Sequence, residues 1–163
     1  MLPSSDTAHA SRVHARVSRP SRRQDARAHA EARHRHDNVQ AIVEAYADYN
    51  RGDGNPSPDY WHEDAEYRTA PEDPDSGIHR GLDAIARLFA SWREVYPNLQ
   101  VEVHEARARR NRVFAWVRFV GRGAASGVPI HMELAHVATM RDGKTLRLVE
   151  YNDRAEALRA MAD

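Results

Sequence analysis

A histidine and a glutamate near the C-terminus are the side chains of this sequence best placed to do chemistry together. His136 and Glu150 lie in two segments of alternating polarity, residues 130–140 and 145–152, which are joined by Arg141-Asp142-Gly143-Lys144. An Asp-Gly pair between two such segments predicts a β-hairpin. In both segments the even-numbered positions form an apolar face that one ionisable side chain interrupts. A buried carboxylate beside an imidazole can act as a general acid–base pair near neutral pH.

The register of this hairpin decides whether the two side chains share a face. A three-residue loop over residues 141–143 sets His136 opposite Leu148 and leaves Glu150 on the adjacent diagonal. A two-residue loop over residues 142–143 sends Glu150 to the other face, and both kinds of loop are common. We favour the three-residue loop because it keeps the two apolar faces together, whereas a slip of one residue would separate them.

Composition indicates one domain without disulfide bonds. The chain has 163 residues and no cysteine. It contains neither the ~20 apolar residues that a membrane-spanning helix needs nor the apolar core of a secretory signal. We therefore expect a cytoplasmic protein that does not bind a membrane. There is no phosphate-binding glycine loop, nucleotide fingerprint or nucleophile elbow, and we predict no cofactor and no metal site.

The net charge of zero conceals two unlike segments. Residues 1–36 hold 8 arginines and 3 acidic residues, whereas residues 37–163 hold 16 basic and 21 acidic residues. Residues 1–36 have so few large apolar side chains that we predict a disordered basic tail, with some helix propensity over residues 24–35. A basic arm for an anionic partner and an organellar transit peptide are the alternatives. The mildly acidic body, residues 37–163, disfavours nucleic-acid binding.

The body predicts helices followed by an antiparallel meander. Asp37 and Gln40 form a capping-box pattern, and apolar residues then recur at helical spacing. From Leu99 the period changes to two, which predicts strands. The predicted elements are a helix from Asp37, a helical turn at 58–62, a strand at 65–69, a helix at 82–96, four consecutive strands from 99 to 152 and a helix at 154–161. This order predicts an α+β fold in which a curved antiparallel sheet wraps around the long helices and forms a cone.

Several stretches of the body together form the pattern of a known family. They are Val39–Tyr46, Asn50–Asp53, Asp64–Tyr67, His79–Ile85, Ala135–Lys144 and Glu150–Asp153. In these stretches, residues 38–160 resemble the SnoaL-like branch of the ketosteroid isomerase superfamily. The resemblance implies a cystatin-like cone with an apolar pocket in its mouth, a small apolar ligand and a homodimer. The superfamily includes isomerases, cyclases, hydrolases, dehydratases and binding proteins, so the resemblance specifies the fold better than the activity.

The resemblance also implies which residues would be catalytic. In ketosteroid isomerases a tyrosine of the first helix and a protonated aspartic acid of a late strand hold the oxyanion, and Tyr46 and His136 match these positions. The aspartate base of the isomerases corresponds to Thr69, which argues against ordinary ketosteroid isomerisation. In SnoaL-type polyketide cyclases the acid–base carboxylate lies on the last strand, where this chain has Glu150. We therefore predict His136, Glu150 and Tyr46 as the catalytic residues.

Further side chains complete the predicted pocket. The predicted substrate-binding residues are Trp61, Tyr67, Thr69, His79, Phe89, Trp92, Leu134 and Leu148. Plain core packing is the alternative for the aromatic members. The acidic run Glu72–Asp75 could suggest a Mg²⁺ site, but no other candidate ligands converge on it. We therefore predict a solvated loop.

Three functions remain open. The first is cofactor-free acid–base chemistry on a carbonyl compound, of the isomerase, cyclase or dehydratase type. The second is a non-catalytic small-molecule binding protein with the same pocket. The third is an assembly module whose basic tail contacts an anionic partner.

Overall fold

The chain folds into helices and strands in a mixed order. The structure is a computed structural model that describes residues 22–52 and 54–162, and the statements below concern these residues. In chain order the elements are α1 (Arg22–Arg51), β1 (Trp61–Arg68), β2 (Ile78–Arg80), α2 (Leu82–Val95), β3 (Gln100–Arg109), β4 (Arg112–Arg122), β5 (Pro129–Arg141), β6 (Lys144–Tyr151) and α3 (Arg154–Ala162).

The strands of the described chain form one six-stranded sheet in the order β2-β1-β6-β5-β4-β3. Strands β3 to β6 form the antiparallel meander that the two-residue period predicts. β1 lies parallel to β6 and pairs on its other side with the short antiparallel strand β2. The sheet curves around the helices, and the predicted α+β fold is confirmed.

The main core lies between the sheet and helices α1 and α2. α1 contributes Ile42 and Tyr49, and α2 contributes Ile85, Leu88 and Phe89. Spacings of three, four and seven residues put each set on one face of its helix. Full burial of such a side chain stabilises the fold by about 1.5–3 kcal/mol, so this layer is a major source of stability.

Asn50 fixes the C-terminal end of α1 against the edge strand β3. Its Nδ2 donates to the Val101 carbonyl and its Oδ1 accepts from the Val101 N–H, both at 2.8 Å. A side chain therefore pairs part of the open edge of the sheet. The same contact holds Tyr46, one helical turn earlier, over the interior of the sheet.

The first helix is longer than predicted. The capping pattern predicts a start at Asp37, but α1 begins at Arg22 and Asp37 lies inside it, so this prediction is wrong. The alanine- and arginine-rich segment 22–36 has helix propensity of its own and continues the helix without contributing a buried side chain. It is helical where composition predicts disorder. Residues 1–21 lie outside the described residues, and the division into tail and domain stays a prediction.

The connection between α1 and α2 also differs from prediction. Trp61 and His62 open β1, where a helical turn is predicted, and β2 adds a three-residue strand that the sequence pattern does not reveal. Gly81 then precedes α2 with a φ of 80°, a conformation that glycine adopts without strain.

Helix α3 covers the opposite face of the sheet. Its buried residues Ala157 and Met161 pack against Phe114, Ala135 and Val137. β5 is therefore buried on both faces over this stretch, and only its even-numbered residues face the main core.

Within the described parts of the chain, no helix has the length and apolar character needed to cross a lipid bilayer.

Candidate active site

The β5–β6 hairpin places His136 directly opposite Glu150. Its turn is the two-residue loop Asp142–Gly143, with φ values of 51° and 75° as in a type I′ turn. A β-bulge at Leu146 then shifts the register by one residue. The three-residue loop and the His136–Leu148 pairing are therefore wrong. The shared face is confirmed, because the bulge restores the side-chain alternation that the two-residue loop alone would have reversed.

His136 lies between Glu150 and a tyrosine of α1. Its Nε2 is 3.7 Å from Glu150 Oε1, which is longer than a hydrogen bond, and the two residues are only 1 % and 2 % exposed. Its Nδ1 is 2.7 Å from the Tyr46 hydroxyl. A Tyr46 hydroxyl that donates to Nδ1 leaves the proton of a neutral imidazole on Nε2, which faces the carboxylate. The three residues predicted to be catalytic thus lie side by side, although His136 Nε2 has no hydrogen-bond partner among the described residues.

Two further donors hold the Glu150 carboxylate. The Tyr67 hydroxyl donates to Oε1 at 2.5 Å, and the Ala70 N–H donates to Oε2 at 3.2 Å. Both donors come from β1 or from the first residues after it, which the parallel β1–β6 pairing brings alongside Glu150. The carboxylate is thus oriented from both of its oxygen atoms.

The site favours an ionised glutamate and protonated tyrosines. Burial acts to raise the pKa of Glu150, but the neighbouring His136 imidazole and the Tyr67 and Ala70 donors together lower it below its usual value. Burial, reinforced by the negative charge of Glu150, raises the pKa of the Tyr46 and Tyr67 hydroxyls well above the usual range. Both tyrosines therefore remain hydrogen-bond donors at neutral pH.

Two of the cavities that border this cluster share a wall. The smaller has a volume of about 40 Å³ and is bordered by Tyr46, Tyr67 and His136. The larger has a volume of about 300 Å³ and is bordered by Glu150. Trp92 and Phe119 line both cavities and form the wall between them. A ligand of more than a few atoms therefore fits beside Glu150, whereas the space beside His136 suits small groups or water.

The predicted substrate-binding residues divide among these spaces. Trp61, Tyr67, Phe89, Trp92 and Leu148 line the smaller cavity, whereas Trp92, Thr69 and Leu134 line the larger one. His79 lies elsewhere, in a shallow depression beside α2, and its Nε2 is buried without a hydrogen-bond partner in the described structure. The structure does not bring His79 to the His136–Glu150 cluster.

The acidic segment after β1 is an ordered wall of the larger cavity. Thr69 Oγ1 accepts from the Gly77 N–H at 2.9 Å and donates to the Asp75 carbonyl at 3.1 Å, which closes the loop. Asp73 and Asp75 both line the cavity. Burial, followed by the charge and hydrogen bond of Glu150, raises the pKa of Asp73 to about 6. Glu72, Pro74 and Asp75 are exposed, as the predicted solvated loop requires, and Asp73 is only partly buried.

Comparison with known proteins identifies the family. A family model described as a SnoaL-like domain matches residues 39–148, which is more than half of the chain. The chain belongs to the SnoaL-like domain family. A search of curated protein sequences found no significant match.

Solved structures share the SnoaL-like fold. A protein assigned as a SnoaL-like polyketide cyclase from Jannaschia sp. CCS1 is 15% identical, with 78% of this chain and 93% of that chain covered and a TM-score of 0.63. TerC, co-crystallised with polyporic acid, is 22% identical, with 78% and 99% covered and a TM-score of 0.63. An NTF2-like protein from Burkholderia xenovorans LB400 is 26% identical, with 78% and 97% covered and a TM-score of 0.60. The chain spans nearly the whole length of these proteins.

Three features of this SnoaL-like site escape analysis of the sequence. The donor role of Tyr67 toward Glu150 depends on the parallel β1–β6 pairing, for which the sequence carries no local signal. Phe119 lines both cavities in the structure, whereas in the sequence it is only one member of an alternating strand. Asp73 reaches Glu150 because a folded loop carries it there.

Among the described residues, no cluster of three or more His, Asp or Glu side chains could hold a metal ion.

Proposed function

We propose that this SnoaL-like protein binds a small, largely apolar carbonyl compound in the larger cavity and transfers a proton on it without a cofactor. The observation that carries the proposal is the buried Glu150 carboxylate, held by Tyr67 and Ala70 at the wall of a cavity of about 300 Å³. A carboxylate held in this way can remove a proton from a carbon next to a carbonyl group. Return of the proton at another position would give isomerisation, and attack by the enolate would give cyclisation.

The cavity lining defines the class of ligand. Most of its lining residues are apolar or aromatic, and a few polar residues stand at its rim and base. Its volume lies at the lower end of the roughly 300–1,000 Å³ typical of small-molecule sites, which favours a compact ligand. The apolar lining residues are Pro74, Trp92, Val95, Tyr96, Leu99, Phe119, Ile130, Met132 and Leu134.

The geometry suggests a division of roles within the proposed site. Glu150 borders the larger cavity and is the group that would meet the substrate. His136 and Tyr46 lie behind it, on the smaller cavity, and would act through Glu150 as positioning residues. Their part is to hold the carboxylate ionised and correctly oriented.

A non-catalytic binding protein is the second candidate, and one observation favours it. The Tyr46 hydroxyl is hydrogen-bonded to His136, and the Tyr67 hydroxyl is hydrogen-bonded to Glu150. Neither tyrosine lines the larger cavity, so neither is aimed at an enolate oxygen formed there. A pocket that binds a carbonyl compound without enolising it would have this arrangement.

The test measures ligand binding and proton exchange on the full chain. A thermal-shift screen would cover polycyclic ketones, aromatic polyketides including polyporic acid, terpenoids and small carboxylates. Each ligand that binds is then incubated in D₂O, and deuterium at carbons next to its carbonyl groups is measured for the wild type and Glu150→Gln. Glu133→Gln is the matched control, because Glu133 is an exposed glutamate on neighbouring β5.

We expect exchange in the wild type and in Glu133→Gln, and a loss of about a hundredfold or more in Glu150→Gln with binding retained. Equal exchange in all three proteins would remove Glu150 from the chemistry. Tight binding without exchange in any of them would support the binding protein instead.

A further inference from the structure

Asp73 borders the same cavity as the proposed base. It lies in the loop between β1 and β2 and lines the larger cavity together with Glu150. Two carboxyl groups that border one cavity disfavour each other's ionised form, so one of them holds a proton more readily than an isolated carboxyl group does. The cavity is therefore bordered by a carboxyl pair.

The surroundings of the pair differ on its two sides. Glu150 already accepts from the Tyr67 hydroxyl and the Ala70 N–H and faces the His136 imidazole, and all three stabilise its ionised form. Burial, followed by the negative charges of Glu150 and Glu72, raises the pKa of Asp73 to about 6, and a backbone hydrogen bond at Ala70 offsets this only in part. The proton of the pair therefore resides on Asp73 rather than on Glu150.

The loop holds Asp73 at this position. Within it, the Asp73 N–H donates to the Ala70 carbonyl at 3.1 Å and the Asp73 carbonyl accepts from the Ser76 N–H at 2.9 Å. Thr69 closes the base of the loop, as described above. These contacts fix the backbone on both sides of the carboxyl group, as a proton donor requires.

We propose that Asp73 is the general acid of this site and that Glu150 is its base, an inference that rests on the proposed function. Ionised Glu150 takes a proton from the carbon next to the substrate carbonyl. The electron pair of the broken C–H bond moves toward the carbonyl oxygen, which receives the Asp73 proton. The products are the enol, protonated Glu150 and ionised Asp73, so the pair again holds one proton and one negative charge. Return of the two protons completes the exchange or the isomerisation.

This division of roles requires protonated Asp73 and predicts a rate that falls as the pH rises above about 6. Other titratable groups face the pair, and several surrounding elements contribute them. They are Glu72 and Asp75 from the loop, Tyr67 from β1, His136 from β5 and Tyr46 from α1.

The test combines a titration with a rate profile on the full chain. Carboxyl ¹³C chemical shifts of labelled aspartate are followed with pH in the wild type and in Glu150→Gln, and the Asp73 signal is assigned by its loss in Asp73→Asn.

The pH dependence of deuterium exchange is measured on a ligand found in the screen above, with the wild type, Asp73→Asn and Glu72→Gln. Glu72→Gln is the matched control because it removes the neighbouring charge and keeps the carboxyl pair. Thermal unfolding verifies that Asp73→Asn folds, and Asp73→Ser serves if it does not.

We expect Asp73 to titrate near 6 in the wild type and at a lower pH in Glu150→Gln, although burial, the largest cause of the raised pKa, remains in that variant. Asp73→Asn should lose about a hundredfold in exchange rate and lose the decline above pH 6, whereas Glu72→Gln should keep that decline at a slightly lower pH.

An Asp73 titration near 4 in the wild type would overturn the carboxyl pair, even if the protein proves to be an enzyme. An unchanged profile in Asp73→Asn would overturn its role as the acid. Absence of exchange from the wild type with every ligand would overturn the proposed function, and the acid role with it, while the titration still reports on the pair.

Discussion

At the scale of single residues, the state of Glu150 is set by the groups that surround it. Burial of a carboxylate costs free energy unless hydrogen bonds replace its lost hydration. Tyr67 and Ala70 supply such bonds, and His136 adds a favourable electrostatic contact. Tyr46 acts on Glu150 only indirectly, because its hydroxyl bonds to the His136 imidazole and not to the carboxylate.

We predict that Tyr67→Phe destabilises the protein more than Tyr46→Phe. Tyr67→Phe deprives a buried charge of a donor, which typically costs about 1.5–3 kcal/mol, whereas Tyr46→Phe removes a bond to an imidazole, which typically costs about 0.5–1.5 kcal/mol. Urea unfolding of both variants measures the difference. The same substitutions in a Glu150→Gln background provide the control, since the cost of Tyr67→Phe should shrink there. An unchanged cost would mean that Tyr67 stabilises the protein through packing alone.

At the scale of elements, a bulge and a clamped loop assemble the site. The Leu146 bulge aligns β6 so that Glu150 faces His136. The loop after β1 brings the Ala70 N–H to this carboxylate and Asp73 to the same cavity. Both devices are irregularities between regular strands, and Ala70 of the loop is fully buried.

We predict that Thr69→Val loosens this loop. Valine has nearly the shape of threonine but cannot bond to the Gly77 N–H or the Asp75 carbonyl, so unfolding free energy should fall by about 1–2 kcal/mol. Hydrogen exchange of residues 70–77 should accelerate while exchange in the sheet changes little. Thr145→Val is the matched control, because the Thr145 hydroxyl is also buried but makes only a long contact to the Met140 sulfur. Equal effects in the two variants would contradict a clamping role for Thr69.

At the scale of the whole molecule, α1 divides into an exposed half and a packed half. No side chain of residues 22–36 is buried, whereas Asn38, Ile42 and Tyr49 of the same helix are buried. The SnoaL-like domain match begins at residue 39, close to this change.

We predict that deletion of residues 1–36 changes the free energy of unfolding by less than about 1 kcal/mol. The removed segment, as far as it is described, makes exposed contacts such as the Arg27–Glu31 ion pair, and exposed pairs are worth little. Asp37 is also a suitable N-cap for the shortened helix. Urea unfolding tests this against a deletion that extends through Ile42, which should cost several kcal/mol. A large loss from the shorter deletion would show that the exposed half of α1 packs against something, such as a second copy of the chain.

The sequence alone determined the fold class and the existence of the His136–Glu150 pair. Alternation along two strands and the Asp-Gly turn are local signals, so they identify which side chains face inward. The helical spacing of Ile42, Tyr46 and Tyr49 is local in the same sense. Family resemblance, carried by short motifs, added the curved sheet and the positions of the candidate catalytic residues.

The register of the hairpin, the partners of Glu150 and the position of the space for a ligand depend on tertiary packing. The bulge at Leu146 leaves no mark in the polarity pattern, because it shifts the register after the turn without interrupting the strand. The Tyr67–Glu150 hydrogen bond and the cavity shared by Asp73 and Glu150 bring together residues about 80 positions apart, and no local pattern encodes such a separation. Long-range contacts of this kind depend on how strands pair across the sheet, and that pairing is settled by the packing of the whole chain.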